Sequence, residues 1–548
     1  MPKESHTIIM KINKRKFFQY GTVIILSFFW VLLKIPNPVS FVQDNDWGFQ
    51  LTGANQIING IHPYIDFVIY YGPLVHYTSA IALLLSGGNP IGEIILVVSS
   101  YTLAYFIFYI ILMKSNNNFG LSFISTTIAL ILMPRMYKYY ILIWPLLVIY
   151  FIWGYLDKPS NKRLFCLSII VVVTGLYRQD FGIYAYISSI TAVIFQNYKV
   201  ALQNAKIIIK DILNFTIYTI IISLPWLIWL ILNKSLENYF SYSTYITFKA
   251  VNSIAKPLIL WDWTNAFSRG NVFILIYYIF QSLPAISFIF LVYQRNKFKL
   301  IEIQKIFILA IMSQLTMLQS IHRIDVPHFL QSVPLGLILF TWITSKSYNY
   351  FRVEGTRIIS VFRFFPLIIY LFVINSSLML GSIPDHSFSE SSNYLKLYQL
   401  NRNDLIDLLS KNYPENAGLK IIRYVRSCSK NDDQILAYVR LTSLYYITDR
   451  GFPGNVMSIN PGFPTPAWEK VIINDLETQN AIIFVDRINF SYDGNEANKF
   501  GNYSPNLHKY LYDNFIEIIN FRDYTIRVNK NSVQDLSLEC FSENIINK

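Results

Sequence analysis

The sequence predicts an α-helical polytopic membrane protein that ends in a soluble α/β domain. Of its 548 residues, 53% are hydrophobic and only 14% are charged, whereas an average soluble domain carries about 25% charged residues. The mean hydropathy is +0.36, and apolar runs of spanning length recur through the first 380 residues. A soluble globule of this size could not cover its surface with so few charges. Disorder is excluded because apolar side chains are abundant.

The basic residues are concentrated in the membrane half. The formal net charge is +13, but residues 1–380 hold 29 Lys and Arg against 13 Asp and Glu, whereas residues 381–548 hold 17 against 20. A basic excess confined to loops between apolar runs indicates membrane topology and contact with membrane lipids. It does not indicate a nucleic-acid partner, and none is expected.

The membrane half is expected to contain about eleven transmembrane helices. The first apolar run, 17–33, follows Lys11, Lys14, Arg15 and Lys16, and no small-x-small cleavage site comes after it. It therefore predicts a retained span and not a cleaved signal peptide. The further predicted spans are 91–113, 119–133, 140–156, 163–176, 180–196, 207–232, 271–293, 303–320, 328–345 and 361–380.

The distribution of positive charge predicts the orientation. With a cytoplasmic N-terminus, the cytoplasmic segments hold 20 of the 29 basic residues of this half, and the stretch 35–90 has no Lys or Arg. Because cytoplasmic loops are enriched in basic residues, we expect an integral protein of the plasma (inner) membrane with its N-terminus inside and its C-terminus outside. This orientation requires the stretch 68–86 to lie at the interface or re-enter the membrane, and not to span it.

Residues 381–548 predict an extracytoplasmic α/β domain, separate from a transmembrane domain of residues 1–380. Apolar runs become shorter there and charges return to the density of a soluble protein. The patterns favour helices over 393–412 and 417–427, and strands over 434–439, 481–485 and 515–528.

The three cysteines form no metal-binding spacing and no disulfide scaffold. Cys428 and Cys540 could pair if the C-terminal domain lies outside the cytoplasm, where disulfides persist. Cys166 lies in the membrane half.

Carboxylates collect in the predicted outer loops of the membrane half. These loops hold Asp44, Asp46, Asp66, Glu93, Asp180, Glu237, Asp262 and Asp325. Solvated loop carboxylates are the simplest explanation, particularly at positions 237 and 262. The aspartates at 44, 46, 66, 180 and 325 differ because each sits at the end of a span beside aromatic and small residues. An ionisable group at that depth indicates a functional site.

The segment after the first span has the pattern of a short helix followed by a loop. Apolar groups recur with helical spacing over 47–58, Gly60 is placed to end the helix and Pro63 to start a new segment. The pattern predicts an amphipathic helix lying at the membrane interface within the first outer loop, 35–90. Asp46 would lie at the N-terminus of this helix, where the helix dipole favours a carboxylate.

The same segment carries a resemblance to a known family. It reads Asp46-Trp-Gly-Phe, then Gly-Ile-His-Pro-Tyr-Ile-Asp-Phe over 60–67, then Gly-Pro at 72–73. This order resembles the first extracytoplasmic loop of GT-C superfamily glycosyltransferases, in particular the bacterial relatives of protein O-mannosyltransferases and the lipid A aminoarabinose transferase. The stretches Gly-Leu-Tyr-Arg-Gln-Asp-Phe-Gly over 175–182 and Arg-Ile-Asp-Val-Pro-His over 323–328 are similar to the same group.

The chain departs from the family pattern at one position. Many members have Asp-Glu where this chain has Asp46-Trp47, so the second acid is missing. Asp44 is the nearest substitute. Whether a divalent cation serves as cofactor is left open, and no other cofactor is expected.

The resemblance implies a membrane glycosyltransferase that moves a sugar from a polyprenyl-phosphate-linked donor to a hydroxyl acceptor outside the cytoplasm. The acceptor would be a lipid, a glycan or a protein of the cell envelope, and the transfer would invert the anomeric carbon by single displacement. An acceptor hydroxyl must lose its proton as it attacks, and a positioned carboxylate is a suitable base. Asp46 is the expected base, with Asp44 as the alternative.

The leaving lipid phosphate needs cationic partners, and the arginine fork suits phosphate well. Arg323 and His328, at the mouths of adjoining spans, are the first candidates, followed by Arg178, Arg135 and Lys138. Simpler roles are contact with lipid headgroups for Arg135 and Lys138, and capping of a helix for His328.

Three further aspartates complete the predicted substrate-binding set. Asp180 belongs to the same stretch as Arg178, and Asp325 is expected to pair with Arg323. Asp66 is expected to tether its loop through backbone N–H groups.

Two rival functions are consistent with the same fold. One is a carrier or flippase that moves a lipid-linked sugar without bond chemistry, and the other is a member of the fold that has lost catalysis. Transporters usually place ionisable groups near the bilayer midplane, whereas most predicted spans here lack charge at their centres. No nucleotide-binding loop, zinc spacing or nucleophile elbow is present in the sequence.

Overall fold

The fold was derived from a computed structural model of the 548-residue chain. The structure describes residues 14–201, 205–245, 264, 268–321, 323–353, 372, 373, 375, 376, 380, 386–437, 441–461, 465–478, 481–487, 490, 491, 494–521, 524–536 and 538–541.

Within these residues, the membrane half is built of helices α1 to α14. Their bounds are α1 Lys14–Leu33, α2 Pro38–Gln43, α3 Asn45–Ile58, α4 Pro73–Leu85, α5 Ile91–Asn116, α6 Phe119–Ile131, α7 Tyr139–Asp157, α8 Asn161–Tyr177, α9 Gln179–Ala201, α10 Ala205–Leu232, α11 Leu236–Tyr245, α12 Arg269–Tyr293, α13 Leu300–Ile321 and α14 Val326–Val353. The predominantly helical architecture is the one that the sequence predicts.

Seven helices in the described part of the chain are long and apolar enough to cross a membrane. They are Lys14–Leu33, Ile91–Asn116, Met136–Asp157, Lys206–Leu232, Arg269–Tyr293, Leu300–Ile321 and Val326–Ser347. Each of these helices contains one of the predicted spans.

The other four predicted spans have different outcomes. Span 119–133 corresponds to α6, whose 13 residues reach only about 20 Å, less than the roughly 30 Å of a hydrocarbon core. Span 163–176 lies on α8, which has 17 residues, and span 180–196 lies on α9, which has 23. Residues 361–371 and most of 374–380 lie outside the described residues. Helix α4, which lies within the stretch 68–86, has only 13 residues. It is therefore also shorter than a span, and the predicted orientation requires that this stretch does not span the membrane.

The C-terminal part combines helices with a small sheet. Its elements are α15 Phe388–Tyr398, α16 Arg402–Asn412, α17 Ala417–Cys428, β1 Gln434–Ala437, α18 Ser443–Thr448, α19 Pro466–Thr478, β2 Ala481–Arg487, α20 Phe500–Tyr503, α21 Pro505–Asn514, β3 Phe515–Phe521 and β4 Tyr524–Asn529. The strand order is β1-β2-β4-β3, with β1 and β2 parallel and the other pairs antiparallel. A disulfide joins Cys428 to Cys540.

Two predicted elements of this part are divided in the structure. The predicted helix over 393–412 is two helices, because the side chain of Asn401 caps the backbone N–H of Asp404 at 2.9 Å and starts α16. The predicted strand over 515–528 is the β3–β4 hairpin.

The C-terminal part packs directly on the membrane half. The ring of Phe41 on α2 lies 5.0 Å from that of Tyr398 at the end of α15, and 5.0 Å from the ring of Trp47 on α3. Side chains of both parts share one hydrophobic core. Helix α3 therefore lies between the membrane helices and the C-terminal elements.

Helix α3 has the predicted bounds but not the predicted exposure. The carboxylate of Asp44 caps it by accepting the backbone N–H of Trp47 at 2.7 Å, and Gly60, with φ +82°, follows its end. All residues from Trp47 to Gln56 are buried, so the polar side chains of this helix face other parts of the chain, and not solvent as in a freely exposed amphipathic helix. Gly48 permits this packing, because a Cβ there would lie 2.3 Å from the backbone nitrogen of Ser443 on α18.

The polar side chains of α3 find buried partners. Glu93, on α5, is fully buried and accepts hydrogen bonds from Trp47 Nε1 at 3.2 Å and Gln50 Nε2 at 3.0 Å. Gln50 Nε2 also donates to the hydroxyl of Ser79 on α4 at 2.9 Å. The prediction that Glu93 lies in an outer loop is wrong, because Glu93 lies in the first turn of α5. Its hydrogen bonds to Trp47 and Gln50 fix the position of α3.

This network predicts a stability difference between two substitutions. Glu93→Ala removes the acceptor of two buried donors and leaves a cavity, so we expect a loss of about 2–4 kcal/mol in the free energy of unfolding. Glu93→Gln keeps an acceptor oxygen and should lose less. Thermal unfolding in detergent measures both, with Glu237→Ala at an exposed position as control. Equal, small effects of all three substitutions would contradict the anchoring role.

Candidate active site

Asp46 lies in the first turn of α3 and is held by two side chains from the turn before α7. Its Oδ2 accepts hydrogen bonds from Arg135 Nη1 at 3.0 Å and from the Tyr137 hydroxyl at 2.5 Å. Its Oδ1 accepts one hydrogen bond, from Asn45 Nδ2 at 3.2 Å, among the described residues. The side chain is 39% exposed, so one oxygen of an anchored carboxylate remains accessible.

The turn that carries Arg135 and Tyr137 is itself fixed. A short 3₁₀ segment, Met136–Lys138, leads directly into α7, and the hydroxyl of Tyr101 on α5 donates to the backbone oxygen of Arg135 at 2.8 Å. The cations of this turn therefore come from the rigid end of a helix.

The two aspartates at this helix end have different electrostatic environments. Burial would raise the pKa of Asp46, but Lys138, the Tyr137 hydrogen bond and Arg135 outweigh it, and its pKa lies below the usual range. Burial raises the pKa of Asp44 above the usual range. The hydrogen bond from the backbone of Trp47 lowers this pKa, but by less than burial raises it. Asp46 is the anionic group of this site, and Asp44 serves as the helix cap.

Lys138 lies at the centre of the candidate site. It is buried, its ammonium donates to the hydroxyl of Tyr71, and it lies 3.8 Å from the centroid of the Tyr71 ring. It interacts electrostatically with Asp46, Arg135 and Arg178. No carboxylate of the described residues lies within ion-pair distance of it.

Arg178 and Asp180 approach Lys138 from the junction of α8 and α9. Two parallel hydrogen bonds join them, Nε to Oδ1 at 2.8 Å and Nη2 to Oδ2 at 2.9 Å. With its amide oxygen turned toward the guanidinium, Gln319 on α13 accepts from Arg178 Nη1 at 2.8 Å. The bidentate pair leaves Arg178 oriented but largely neutralised.

Arg323, Asp325 and His328 form a second group at the start of α14. Asp325 accepts from Arg323 Nε at 2.9 Å and contacts His328 Nδ1 at 2.6 Å, and it caps the backbone N–H of His328 at 3.0 Å. Burial opposes its ionisation, but His328 and Arg323 hold the pKa of Asp325 far below the usual range. His328 interacts electrostatically with Lys138, which links this group to the centre of the site.

The structure therefore brings nine of the ten predicted site residues into one region. Asp44 lies there only as a cap, and Asp66 lies apart: its Oδ2 accepts the backbone N–H of His62 at 2.7 Å and so tethers the loop. Sequence reasoning missed Tyr71 and Tyr137. Their proximity in sequence to the Gly-Pro pair at 72–73 and to Arg135 is the only local signal that marks them.

The described residues contain no group of three or more His, Cys, Asp or Glu side chains that could hold a metal ion. The missing second acid of the family pattern is not restored by Asp44, because its Oδ1 accepts the backbone N–H of Trp47. Within the described part of the chain, no cluster of acids or histidines therefore forms a cation site at Asp46.

Comparison with known proteins identifies the fold. No protein-family model and no curated protein matches the sequence. The chain is similar to the crystal structure of ArnT from Cupriavidus metallidurans bound to undecaprenyl phosphate, with a TM-score of 0.51 and 9% identity, over 95% of this chain and 99% of that one. The apo structure of the same protein gives a TM-score of 0.47 and 10% identity, over 95% and 98%. At this identity the similarity shows the fold alone: the chain has the fold of ArnT, as the sequence predicts.

Proposed function

We propose that the protein is a membrane glycosyltransferase that moves a sugar from a polyprenyl-phosphate-linked donor to a hydroxyl acceptor on the extracytoplasmic side. Residues 1–380 form its transmembrane domain in this proposal, with about eleven spans, and residues 381–548 lie outside the membrane. The observation that carries the proposal is that an accessible carboxylate, Asp46, lies within electrostatic reach of a buried cation, Lys138. Lys138 has no carboxylate within ion-pair distance among the described residues.

Lys138 has the properties of a phosphate-binding group. A buried ammonium without a directly bound carboxylate is costly, and an arriving phosphate supplies a negative charge closer than that of Asp46. Arg178 and Arg323 each have a carboxylate partner, Asp180 and Asp325, so they orient the anion more than they neutralise it. The ArnT structure supports a polyprenyl-phosphate ligand for the fold, since that protein was crystallised bound to undecaprenyl phosphate.

Asp46 has the properties of the base. Its lowered pKa keeps it ionised at neutral pH, and its Oδ1 is open enough to accept the hydrogen bond of an acceptor hydroxyl. As the hydroxyl oxygen bonds to the anomeric carbon and the bond to phosphate breaks, the hydroxyl proton passes to Asp46. The leaving phosphate remains with the cations.

The positions of the site residues favour transfer over transport. Asp46 lies in the first turn of α3, Arg178 caps the end of α8 and Asp325 precedes α14. Ionisable groups at helix ends suit chemistry at one membrane surface, whereas transporters place them near the midplane.

The proposed role of Asp46 as the base predicts a large loss of turnover when its carboxylate is replaced. Asp46→Asn keeps the size of the side chain but cannot accept the proton, so we expect turnover of a polyprenyl-phosphate-linked sugar to fall by at least about a hundredfold. Asp44→Asn is the matched control, because Asn caps a helix as well as Asp, and its turnover should stay close to wild type. Full activity of Asp46→Asn would place the base elsewhere.

The lowered pKa of Asp46 also predicts the pH profile. Because the group deprotonates below the usual aspartate value near 3.9, its ionisation is complete at pH 5 and above. Turnover should therefore show no acid limb from Asp46 between about pH 5 and 8. An acid limb near pH 6 that disappears in Asp46→Asn would contradict this electrostatic assignment.

The lack of a bound carboxylate at Lys138 predicts which substitution lowers the affinity for the lipid donor most. Lys138→Met keeps the length of the side chain and removes its charge, so the affinity for polyprenyl phosphate should fall about tenfold or more. Arg323→Ala and Arg135→Ala should lower it less, since each arginine is neutralised by an aspartate.

Lys114→Met is the matched control for Lys138→Met. Lys114 also lies over a tyrosine ring, 4.3 Å from the centroid of Tyr150, but at the opposite end of α5 from Glu93. Binding of polyprenyl phosphate to purified protein measures both variants. Equal effects of the two substitutions would remove Lys138 from the phosphate site.

The disulfide predicts the side on which the C-terminal part lies. Disulfides persist in oxidising compartments, so peptide mapping of freshly isolated membranes without reductant should recover Cys428 linked to Cys540. Cys166, which is unpaired in the structure, should react with a thiol reagent without prior reduction. Two free thiols at 428 and 540 in intact cells would contradict the extracytoplasmic placement.

A further inference from the structure

A polar cleft lies at the opposite end of α3 from Asp46. It has a volume of about 240 Å³ and lies between the C-terminal end of α3 and the segments that flank β1. It is lined by Asn55, Gln56, Asn59, Ile61, Asn431, Asp432, Gln434, Asp449, Arg450 and Gly451.

Amide side chains dominate the lining. An amide offers an acceptor oxygen and two N–H donors, and five of the ten lining residues are Asn or Gln. Gln56 is only 6% exposed, yet its side chain makes no hydrogen bond to another described residue. The Oε1 of Gln434 is also buried without a partner in the described part of the chain. Buried polar groups are normally satisfied. The unpartnered Oε1 of Gln434 and the amide of Gln56 therefore give the cleft polar groups that can bind a ligand.

Two of the three charged residues of the cleft, Asp449 and Arg450, are held by other groups of the protein. Asp449 is paired with Arg402 at 3.3 Å and accepts from Asn55 Nδ2 at 2.9 Å. Arg450 donates to Ser429 Oγ at 2.9 Å and to Asn431 Oδ1 at 2.6 Å, and Asp433 and Asp449 are the acids that act on it most strongly. A lining in which neutral amides predominate suits a ligand rich in hydroxyl groups and without net charge, because each hydroxyl both donates and accepts.

The distance from Asp46 limits what the cleft can do. Asp46 and Gln56 are ten residues apart on one helix, which corresponds to about 15 Å along its axis. A group bound in the cleft cannot react at Asp46. It can hold a part of a substrate that is remote from the reacting hydroxyl.

We propose that this cleft binds an uncharged sugar segment of the acceptor, so that the acceptor of the transferase is a glycan or carries one. The identification of the ligand as an acceptor rests on the proposed function. The binding of a neutral oligosaccharide by the cleft does not.

The test uses the full chain purified in a detergent without a sugar headgroup, such as lauryldimethylamine oxide. The probes are the neutral trisaccharides mannotriose, maltotriose and chitotriose, and saturation-transfer NMR measures their affinity. The double variant Asn59→Ala/Asp432→Ala changes two exposed side chains that make no hydrogen bond to another described residue, so folding should be unaffected. We expect at least one trisaccharide to bind, with affinity roughly tenfold lower in the double variant.

Two further variants fix the interpretation. Asn412→Ala/Asp513→Ala removes the same two residue types from exposed positions outside the cleft and should leave affinity unchanged. Gln56→Leu replaces the buried amide with an apolar group of similar volume, and it should lower affinity without lowering the thermal stability of the protein.

The outcomes separate this inference from the proposed function. Binding of no trisaccharide at millimolar concentration, or equal affinity in the cleft and control variants, would overturn the cleft as a sugar site. Loss of trisaccharide binding in the cleft variants with unchanged binding of polyprenyl phosphate supports it. If trisaccharides bind in the cleft but the protein binds no polyprenyl phosphate, the proposed transferase fails and the sugar site stands.

Discussion

The site depends on holding a polar helix, α3, inside the protein. Ten consecutive residues of α3 are buried, and several carry groups that need hydrogen-bond partners once water is excluded. In the first turns of α3, Glu93 accepts hydrogen bonds from Trp47 and Gln50. Further along, the backbone oxygen of Thr442 accepts a hydrogen bond from the Thr52 hydroxyl at 2.7 Å. Near the C-terminal end of α3, Asp449 accepts a hydrogen bond from the side chain of Asn55. The position of Asp46 is therefore set by contacts along the whole helix, drawn from both the membrane half and the C-terminal part.

Charge pairing divides the cations of the site into two kinds. The arginines each face an aspartate, in the pairs Arg135–Asp46, Arg178–Asp180 and Arg323–Asp325. The pairs Arg178–Asp180 and Arg323–Asp325 fix geometry, because bidentate or largely buried pairs hold their members in place. Lys138 is held by Tyr71 and the surrounding rings. In the proposed reaction, the paired arginines shape the anion site and Lys138 supplies the charge that draws the phosphate in.

The parts of this arrangement that the sequence could predict are those with local signals. Asp46 and Gly60 mark the ends of α3 within a few residues, and Arg323 and Asp325 are close enough in sequence to be expected as a pair. The burial of α3 could not be predicted in this way, because it depends on Ser443 approaching Gly48 from almost 400 positions away. Glu93 looked like a loop acid for the same reason, since its donors come from another helix.

The two oxygens of Asp46 have separate tasks in the proposed reaction. Arg135 and Tyr137 occupy Oδ2 and withdraw electron density from the carboxylate, which makes Asp46 a weak nucleophile toward the anomeric carbon. A covalent sugar–enzyme intermediate is thereby disfavoured, and attack by the acceptor hydroxyl in one step is favoured. A weak base suffices for that step, because the hydroxyl becomes strongly acidic only as its oxygen bonds to the oxocarbenium-like carbon. The same contacts that lower the pKa of Asp46 thus favour inversion of the sugar.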